Sequence, residues 1–266
     1  MVSTMPRPSS IARSILPAAL ALAAPFAALA QSGPTTADLA LWLKADSGLA
    51  ADGSTWTDSS GAGHNATAIA GEAPTVQQAA LNGLPVAVFS GGQAMSIAGN
   101  VLSGQHFTIL AVVTDTSVAG GSFREIVSNW DTTTRTTSIF LGTVWSDVNG
   151  VAVDRIRFTD AIGGQDQGQT GQGQIPKPTK AFILTGLASG HNALIRLDKK
   201  TEYQLGAPLS KRDLTQGWYL GSQGDADVEL WEGDIAEVLV YDAPLSKAEF
   251  ATDLSYLQTK WLPKKK

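Results

Sequence analysis

Three carboxylates near the end of the chain, Glu232, Asp234 and Glu237, stand in the pattern E-x-D-x-x-E. On a regular strand side chains alternate, so Glu232 and Asp234 share a face and Glu237 points away. One β-bulge inserts an extra residue and would turn all three to one side. Carboxylates grouped in this way can divide acid and base work between them. They belong to a longer acidic run, Asp225 to Asp242, with seven acids and no Lys or Arg. Within it, Asp225 and Asp227 follow Gly221-Ser222-Gln223-Gly224, a loop that can offer carbonyl as well as carboxylate oxygens to Ca2+. The same run also reads as solvated acidic surface, since no twelve-residue calcium loop is present. A third group is aromatic. Trp56, Trp130 and Trp145 lie in or beside loop-like sequence, with Asp58, Asn129, Asp131 and Asp147 close by. Indole faces stack on the apolar faces of sugar rings while amides and carboxylates take the hydroxyls; each of these Trp also suits the core or loop packing.

Other chemistries lack their residues. The chain has no Cys, which excludes disulfide frameworks, thiolate metal sites and cysteine nucleophiles. G-x-S-x-G, H-E-x-x-H and phosphate-loop patterns are absent. His64, His106 and His191 are far apart in sequence, on apparent loops. A formal charge of −5 argues against neutralising nucleic-acid phosphates.

The elements that must position these groups follow from composition and pattern. Of 266 residues, 16% are charged, against about 25% in an ordinary soluble domain. With 27 Gly and 7 Trp, this points to a turn-rich β protein. Residues 1–30 read as an export signal: Arg7 and Arg13, then the Ala-rich run Ile15 to Ala27, then Ala28-Leu29-Ala30 as a cleavage site before Gln31. Pro17 and Pro25 interrupt the run, which is shorter than the roughly 20 residues of a spanning helix. The expected mature chain is secreted or periplasmic, has no membrane span, and carries 17 basic and 24 acidic residues once Arg7 and Arg13 are removed.

Residues 31–38 form a lead, 39–262 a single domain and 263–266 a basic tail. Strands are expected at Leu39–Ala45, Pro85–Ser90, Phe107–Thr114, Phe123–Ser128, Ser138–Val144 and Asp154–Thr159. More follow at Ala181–Ala188, Ala193–Leu197, Trp218–Ser222, Val228–Trp231 and Ile235–Tyr241. Residues 163–174, almost wholly Gly and Gln, are expected to form a mobile loop within the domain. One helix closes the chain. Ser246 and Glu249 make a capping box, Phe250, Leu254, Leu257 and Trp261 make one apolar stripe, and Pro263 ends it. Many short strands without alternating helices indicate an all-β, two-sheet antiparallel sandwich with one C-terminal amphipathic helix.

Several stretches together resemble the laminin-G-like (concanavalin A-like) jelly-roll domains of secreted bacterial proteins. They are Leu41-Trp42-Leu43-Lys44-Ala45-Asp46-Ser47-Gly48, the W-x-D-x-S-G loop from Trp56 to Ala66, and Phe107 to Val113. The most specific is Gly233-Asp234-Ile235-Ala236-Glu237-Val238-Leu239-Val240-Tyr241, followed by Pro244-Leu245-Ser246 and the helix. The resemblance spans residues 39–262 and implies a jelly roll that binds glycans or proteins without catalysis, in some members through calcium. E-x-D-x-x-E also resembles the catalytic strand of jelly-roll glucanases that retain anomeric configuration. That likeness implies Glu232 as nucleophile and Glu237 as acid/base, about 5–5.5 Å apart, with Asp234 between them. In the non-catalytic family Glu237 belongs to the closing motif itself.

The leading reading is therefore a secreted, non-catalytic module for carbohydrate or cell-surface ligands, with Trp56, Asp58, Asn129, Trp130, Asp131 and Trp145 as ligand residues. A retaining glycoside hydrolase is the alternative, and a protein-binding adhesion domain the third.

Overall fold

The computed structural model describes residues 1, 33–117, 123–129, 139–148, 151–162, 165–166, 169–174, 180–189, 192–205, 214–224 and 229–262. The chain divides into two units, Met1–Ala30 and Gln31–Lys266. All the assigned strands and the helix lie in the second: β1 (Leu39–Lys44), β2 (Thr55–Trp56), β3 (Ala66–Ala68), β4 (Thr75–Leu81), β5 (Leu84–Ser90), β6 (Met95–Ile97), β7 (Phe107–Val113) and β8 (Phe123–Ser128). There follow β9 (Ile139–Val148), β10 (Val151–Ile162), β11 (Gln165–Asp166), β12 (Gln169–Gln174), β13 (Phe182–Ser189), β14 (Asn192–Leu197), β15 (Lys200–Leu205), β16 (Trp218–Leu220), β17 (Glu232–Tyr241) and α1 (Lys247–Trp261).

The strands form two antiparallel sheets. One has eight strands in the order β15-β14-β13-β7-β17-β5-β4, with β1 also on β17. The other has nine, β11-β10-β9-β8-β16-β6-β3-β2, with β12 also on β10. This is the expected all-β sandwich with its C-terminal helix. Strand β17 organises the first sheet. On one side β7 pairs with Ile235–Tyr241 and the chain after it, through Thr114 N and Thr116 N, bonds Asp234 O and Glu232 O; on the other β5 pairs with Glu232–Ile235 and β1 with Glu237–Tyr241. The core lies between the sheets: Leu41 pairs with Val240 and Leu43 with Val238, and Val240 and Val238 pair onward with Ile109 and Ala111. From the other sheet come Met95, Val127, Leu141, Trp218 and Leu220, all buried.

The helix begins where the capping pattern places it. Glu249 N donates to Ser246 Oγ at 3.3 Å, and Ser246 N donates to Glu249 Oε2 at 2.8 Å. Its buried face is the expected stripe of Phe250, Leu254, Leu257 and Trp261, joined by Asp253. That face lies on the outer side of the eight-stranded sheet, reaching from Arg196 on β14, whose guanidinium sits 4.2 Å from the Phe250 ring, to β17 and β1. Among the described residues no helix is long and apolar enough to cross a membrane.

Two local expectations are corrected. Residues 229–231 of the expected strand Val228–Trp231 are irregular, and only from Glu232 does the chain enter β17. Part of the Gly/Gln stretch is strand: Gln165–Asp166 and Gln169–Gln174 both pair with β10. Ladder hydrogen bonds come from the backbone, so a sequence without apolar side chains can still extend an existing sheet. Strands β2, β3 and β6 are only two or three residues long, too short to show an alternation, and β4 is mostly Gln and Ala.

The capping box gives a direct check on the helix. Ser246→Ala should lower stability by about 1 kcal/mol, read as a shifted urea midpoint with an unchanged slope. An unshifted midpoint would mean that burial of the stripe alone holds the helix start.

Candidate functional site

The three carboxylates of β17 do meet on one face, by way of a bulge. Ile235 pairs with Val113 and Glu237 with Val112, leaving Ala236 as the extra residue. Val112 and Val113 point to opposite faces, so Glu237 and Ile235 do too. Asp234 pairs with Val88 and Ile235 with Ala87, so Asp234 is also opposite Ile235, and Glu232, paired with Ser90, sits with Asp234. All three acids thus project from the outer face, the face that α1 covers further along.

Their environments differ sharply. Glu237 is wholly buried. Its Oε1 accepts from Trp42 Nε1 at 2.6 Å and Tyr256 O–H at 2.9 Å. Its Oε2 accepts from Lys260 Nζ at 2.8 Å and Trp261 Nε1 at 2.5 Å. Lys260 also bonds Asp46 Oδ1 at 2.8 Å. Burial, and next the Glu237 charge, push the Tyr256 phenol far above its ordinary range, so it stays a donor. A carboxylate with both oxygens held this way is a fastener between sheet and helix. Glu232 and Asp234 are half-buried beyond the helix. Burial pushes the Asp234 carboxyl up, and the Thr114 hydroxyl partly offsets it. Thr114 Oγ1 also accepts from Asp234 N at 2.9 Å.

Asp58 has a comparable role at the edge of β1. Its Oδ1 accepts from Trp42 N and Ser60 N, both at 2.9 Å. Its Oδ2 accepts from Ser60 Oγ at 2.7 Å and from Gly63 N and His64 N, each at 3.0 Å. Burial alone would raise this carboxyl, but the combined donors hold it below the usual carboxylate value. Trp56 is wholly enclosed in the core. The expectation that Trp56 and Asp58 offer a sugar platform is corrected: the indole has no open face, and the carboxylate is spent on its own loop. Asn129, also fully buried, accepts from Ile139 N through Oδ1 at 3.0 Å and so closes the ends of β8 and β9.

Trp130, Asp131, Asp225 and Asp227 lie outside the described residues, as does the side chain of Trp145 on β9. Among the described residues no three His, Asp or Glu side chains gather as metal ligands. Ser128 Oγ donates to Ser222 O at 3.0 Å, tying the chain just before Asn129 to the chain just before Asp225. Buried polar side chains also stand on β8, on β9 and after β16: Glu125, Ser128, Thr143, Ser222 and Gln223, and Asp115 and Arg124 form an ion pair at 3.9 Å. Sequence reading missed this group because polar residues on strands read as solvent-facing.

No protein-family model and no curated protein matches the chain. Solved structures do. Domain 4 of AbnA, an extracellular arabinanase from Geobacillus stearothermophilus, in complex with arabinotriose, superposes with a TM-score of 0.59 at 15% identity, over 82% of this chain and 98% of that domain. Trypanosoma rangeli sialidase in complex with sialic acid gives a TM-score of 0.58 at 14% identity, over 85% of this chain and 34% of the sialidase. A mutant of HCR/D gives 0.57 at 12% identity, over 83% of this chain and 51% of that one. The chain thus spans nearly all of the arabinanase domain but only about a third of the sialidase. At these identities the likeness establishes a shared β-sandwich fold.

Two outcomes follow from the fasteners. Glu237→Gln leaves Lys260 with Asp46 as its only carboxylate and turns an amide nitrogen toward donors; it should cost about 1–3 kcal/mol in urea unfolding. A variant as stable as the wild type would show that the carboxylate does not hold the helix. Asp58 titrates lower in the folded than in the unfolded chain. Its contribution is complete above the unfolded value, about 3.9, and is lost as pH falls through the lower folded value. Asp58→Asn should therefore flatten the acid limb of the stability–pH curve, and an unaltered limb would refute the assignment.

Proposed function

We propose that this chain is an exported, non-catalytic carbohydrate-binding module. The observation that carries this reading is the full-length correspondence with the arabinanase domain held with arabinotriose: that match takes in 98% of a separate domain of a polysaccharide-degrading enzyme. The export pattern of residues 1–30 and the laminin-G-like sequence resemblance agree with it, since an exported module of this type meets glycans outside the cytoplasm. The closed environment of Glu237 supports the non-catalytic form. A retaining mechanism needs one carboxylate free to bond carbon and another free to exchange protons. Both Glu237 oxygens are already engaged by four donors.

The hydrolase alternative keeps one specific support, the bulge that brings Glu232, Asp234 and Glu237 to one face. For it to operate, Glu237 must be released from the helix. The binding reading makes no such demand. It assigns sugar contact to Trp130, Asp131 and Trp145, and not to the enclosed Asn129, with Asp225 and Asp227 as the carboxylates that a calcium-dependent mode would use.

The test is a pulldown of the purified mature chain on insoluble polysaccharides, followed by calorimetry with arabinotriose and with xylo-, gluco- and manno-oligosaccharides. Each is run with calcium and with EDTA. We expect saturable binding without release of reducing sugar. Trp130→Ala or Trp145→Ala should weaken it at least tenfold while leaving the melting temperature unchanged, since covering a large apolar side chain contributes on the order of 1.5–3 kcal/mol. Hydrolysis abolished by Glu232→Gln would replace this reading with the enzymatic one, and no affinity for any glycan would end it.

A further inference from the structure

Part of the nine-stranded sheet's outer face is open. Along β16 the Trp218 and Leu220 side chains are fully buried in the core, so Tyr219 between them points outward. The same alternation turns Ser96 outward between Met95 and Ile97, Thr67 beside Ala66, and Thr55 beside Trp56. Strand register aligns these residues. Thr55 pairs with Thr67, Thr67 with Ser96, and Ser96 with Tyr219. Paired residues on neighbouring strands project to one face, so the four make a single row across β2, β3, β6 and β16. At about 4.8 Å from strand to strand, the row is roughly 14 Å long.

Thr55, Thr67 and Ser96 are themselves exposed, and Tyr219 is half-buried. Cover begins at Ser128 on β8, which pairs with Tyr219 and is fully buried, so Tyr219 stands at the step between open and covered sheet. Its ring folds back over Gly217, where a Cβ would lie 2.9 Å from the phenol oxygen and 3.0 Å from Cε2. A side chain at that position would displace the ring, so the glycine sets where it lies. The Tyr219 phenol and the Thr55 and Thr67 hydroxyls have no hydrogen-bond partner among the described residues, and Ser96 Oγ makes only a long bond of 3.4 Å to Thr67 O. The row has no charged side chain, and so lacks the attraction that a phosphate or a uronate would need. Among the described residues of Gln31–Lys266 no large apolar side chain is exposed, so the row offers a protein partner no apolar centre.

We propose that Thr55, Thr67, Ser96 and Tyr219 form a surface site for a short neutral oligosaccharide laid across the strands, with one sugar ring against Tyr219. The aromatic ring takes the apolar side of a sugar, and the hydroxyls beside it can each donate or accept to the sugar's own. The site rests on the carbohydrate-binding reading above and names neutral glycans as its ligand class. It adds to Trp130 and Trp145 four strand residues whose types alone do not single them out. Ser128, at the covered end of the row, precedes Trp130 by two residues, so the row leads toward the point where the Trp130 segment leaves β8.

The test is calorimetry of the mature chain with arabinotriose and with xylo-, gluco- and manno-oligosaccharides, repeated for two variants with the sugar that binds most tightly. Tyr219→Ala removes the ring, and Ser96→Glu places a longer, charged side chain in the middle of the row. Each should weaken binding about tenfold or more. The melting temperature of Ser96→Glu should match that of the wild type, because Ser96 is exposed and packs nothing. A folded Tyr219→Ala or Ser96→Glu that binds like the wild type overturns the site while the binding reading stands. A wild type that binds none of these sugars overturns both. Should Tyr219→Ala fail to fold, Ser96→Glu decides alone.

Discussion

The structure depends on one buried carboxylate. Glu237 sits on the long strand β17, at the point where β1 replaces β5 as its neighbour, and under the last turn of the only helix among the described residues. Its four donors come from β1 and from α1, and one of them, Lys260, carries the compensating charge. Removing a carboxylate from water is costly, and the cost is met here only because every lone pair that faces the helix has a partner. Edge strand, central strand and helix are therefore coupled through two oxygen atoms. The helix stripe supplies apolar area, but area is non-directional. The carboxylate sets where along the sheet the helix ends.

Trp42 shows how the fasteners are joined. Its indole N–H goes to Glu237, while its backbone N–H goes to Asp58 and its carbonyl accepts from Ser59 N at 2.8 Å. Among the described residues strand β1 has no further strand on its outer side, and an open edge invites pairing with other chains. The loop from Asp58 to Ser60 takes that place with one carboxylate, one amide and one hydroxyl, the last donating to Ala40 O at 3.1 Å. The W-x-D-x-S-G loop from Trp56 and the closing G-D-I-A-E run from Gly233, far apart in sequence, are thus two ends of one attachment on Trp42.

This explains what was legible in the sequence. The strands of the core and the capped helix follow from periodicity and capping chemistry, which are local. The bulge in β17 could be named as a requirement, because side-chain parity makes three acids at those spacings incompatible on a regular strand. What parity could not tell is which face they would share, or that the helix covers it. That depends on Tyr256, Lys260 and Trp261, whose approach to Glu237 is a tertiary event. The same limit applied to Trp56. Its neighbours in sequence are loop residues, yet Leu49 and Ala66 pair with it and carry it into the core. The pairing of Gln169–Gln174 with β10 was hidden for the opposite reason, since a ladder made from the backbone leaves no mark in side-chain type.

Two carboxylates from motifs that looked chemical, Asp58 and Glu237, are taken up in hydrogen-bond networks of the fold, and this redirects the search for function. Asp58 and Glu237 carry the most complete sets of charge-assisted hydrogen bonds described, and a group so satisfied has nothing left to give a ligand. Recognition needs polar groups that the fold has not used. Such groups belong on connections, or on an open sheet face, rather than within the core. A rigid sandwich with its edge and helix fixed by carboxylates can carry such connections without passing their motions to the core. Variation in ligand preference among chains of this fold is then expected in the β8–β9 and β16–β17 connections, while substitutions at Trp42, Asp58 and Glu237 alter stability first.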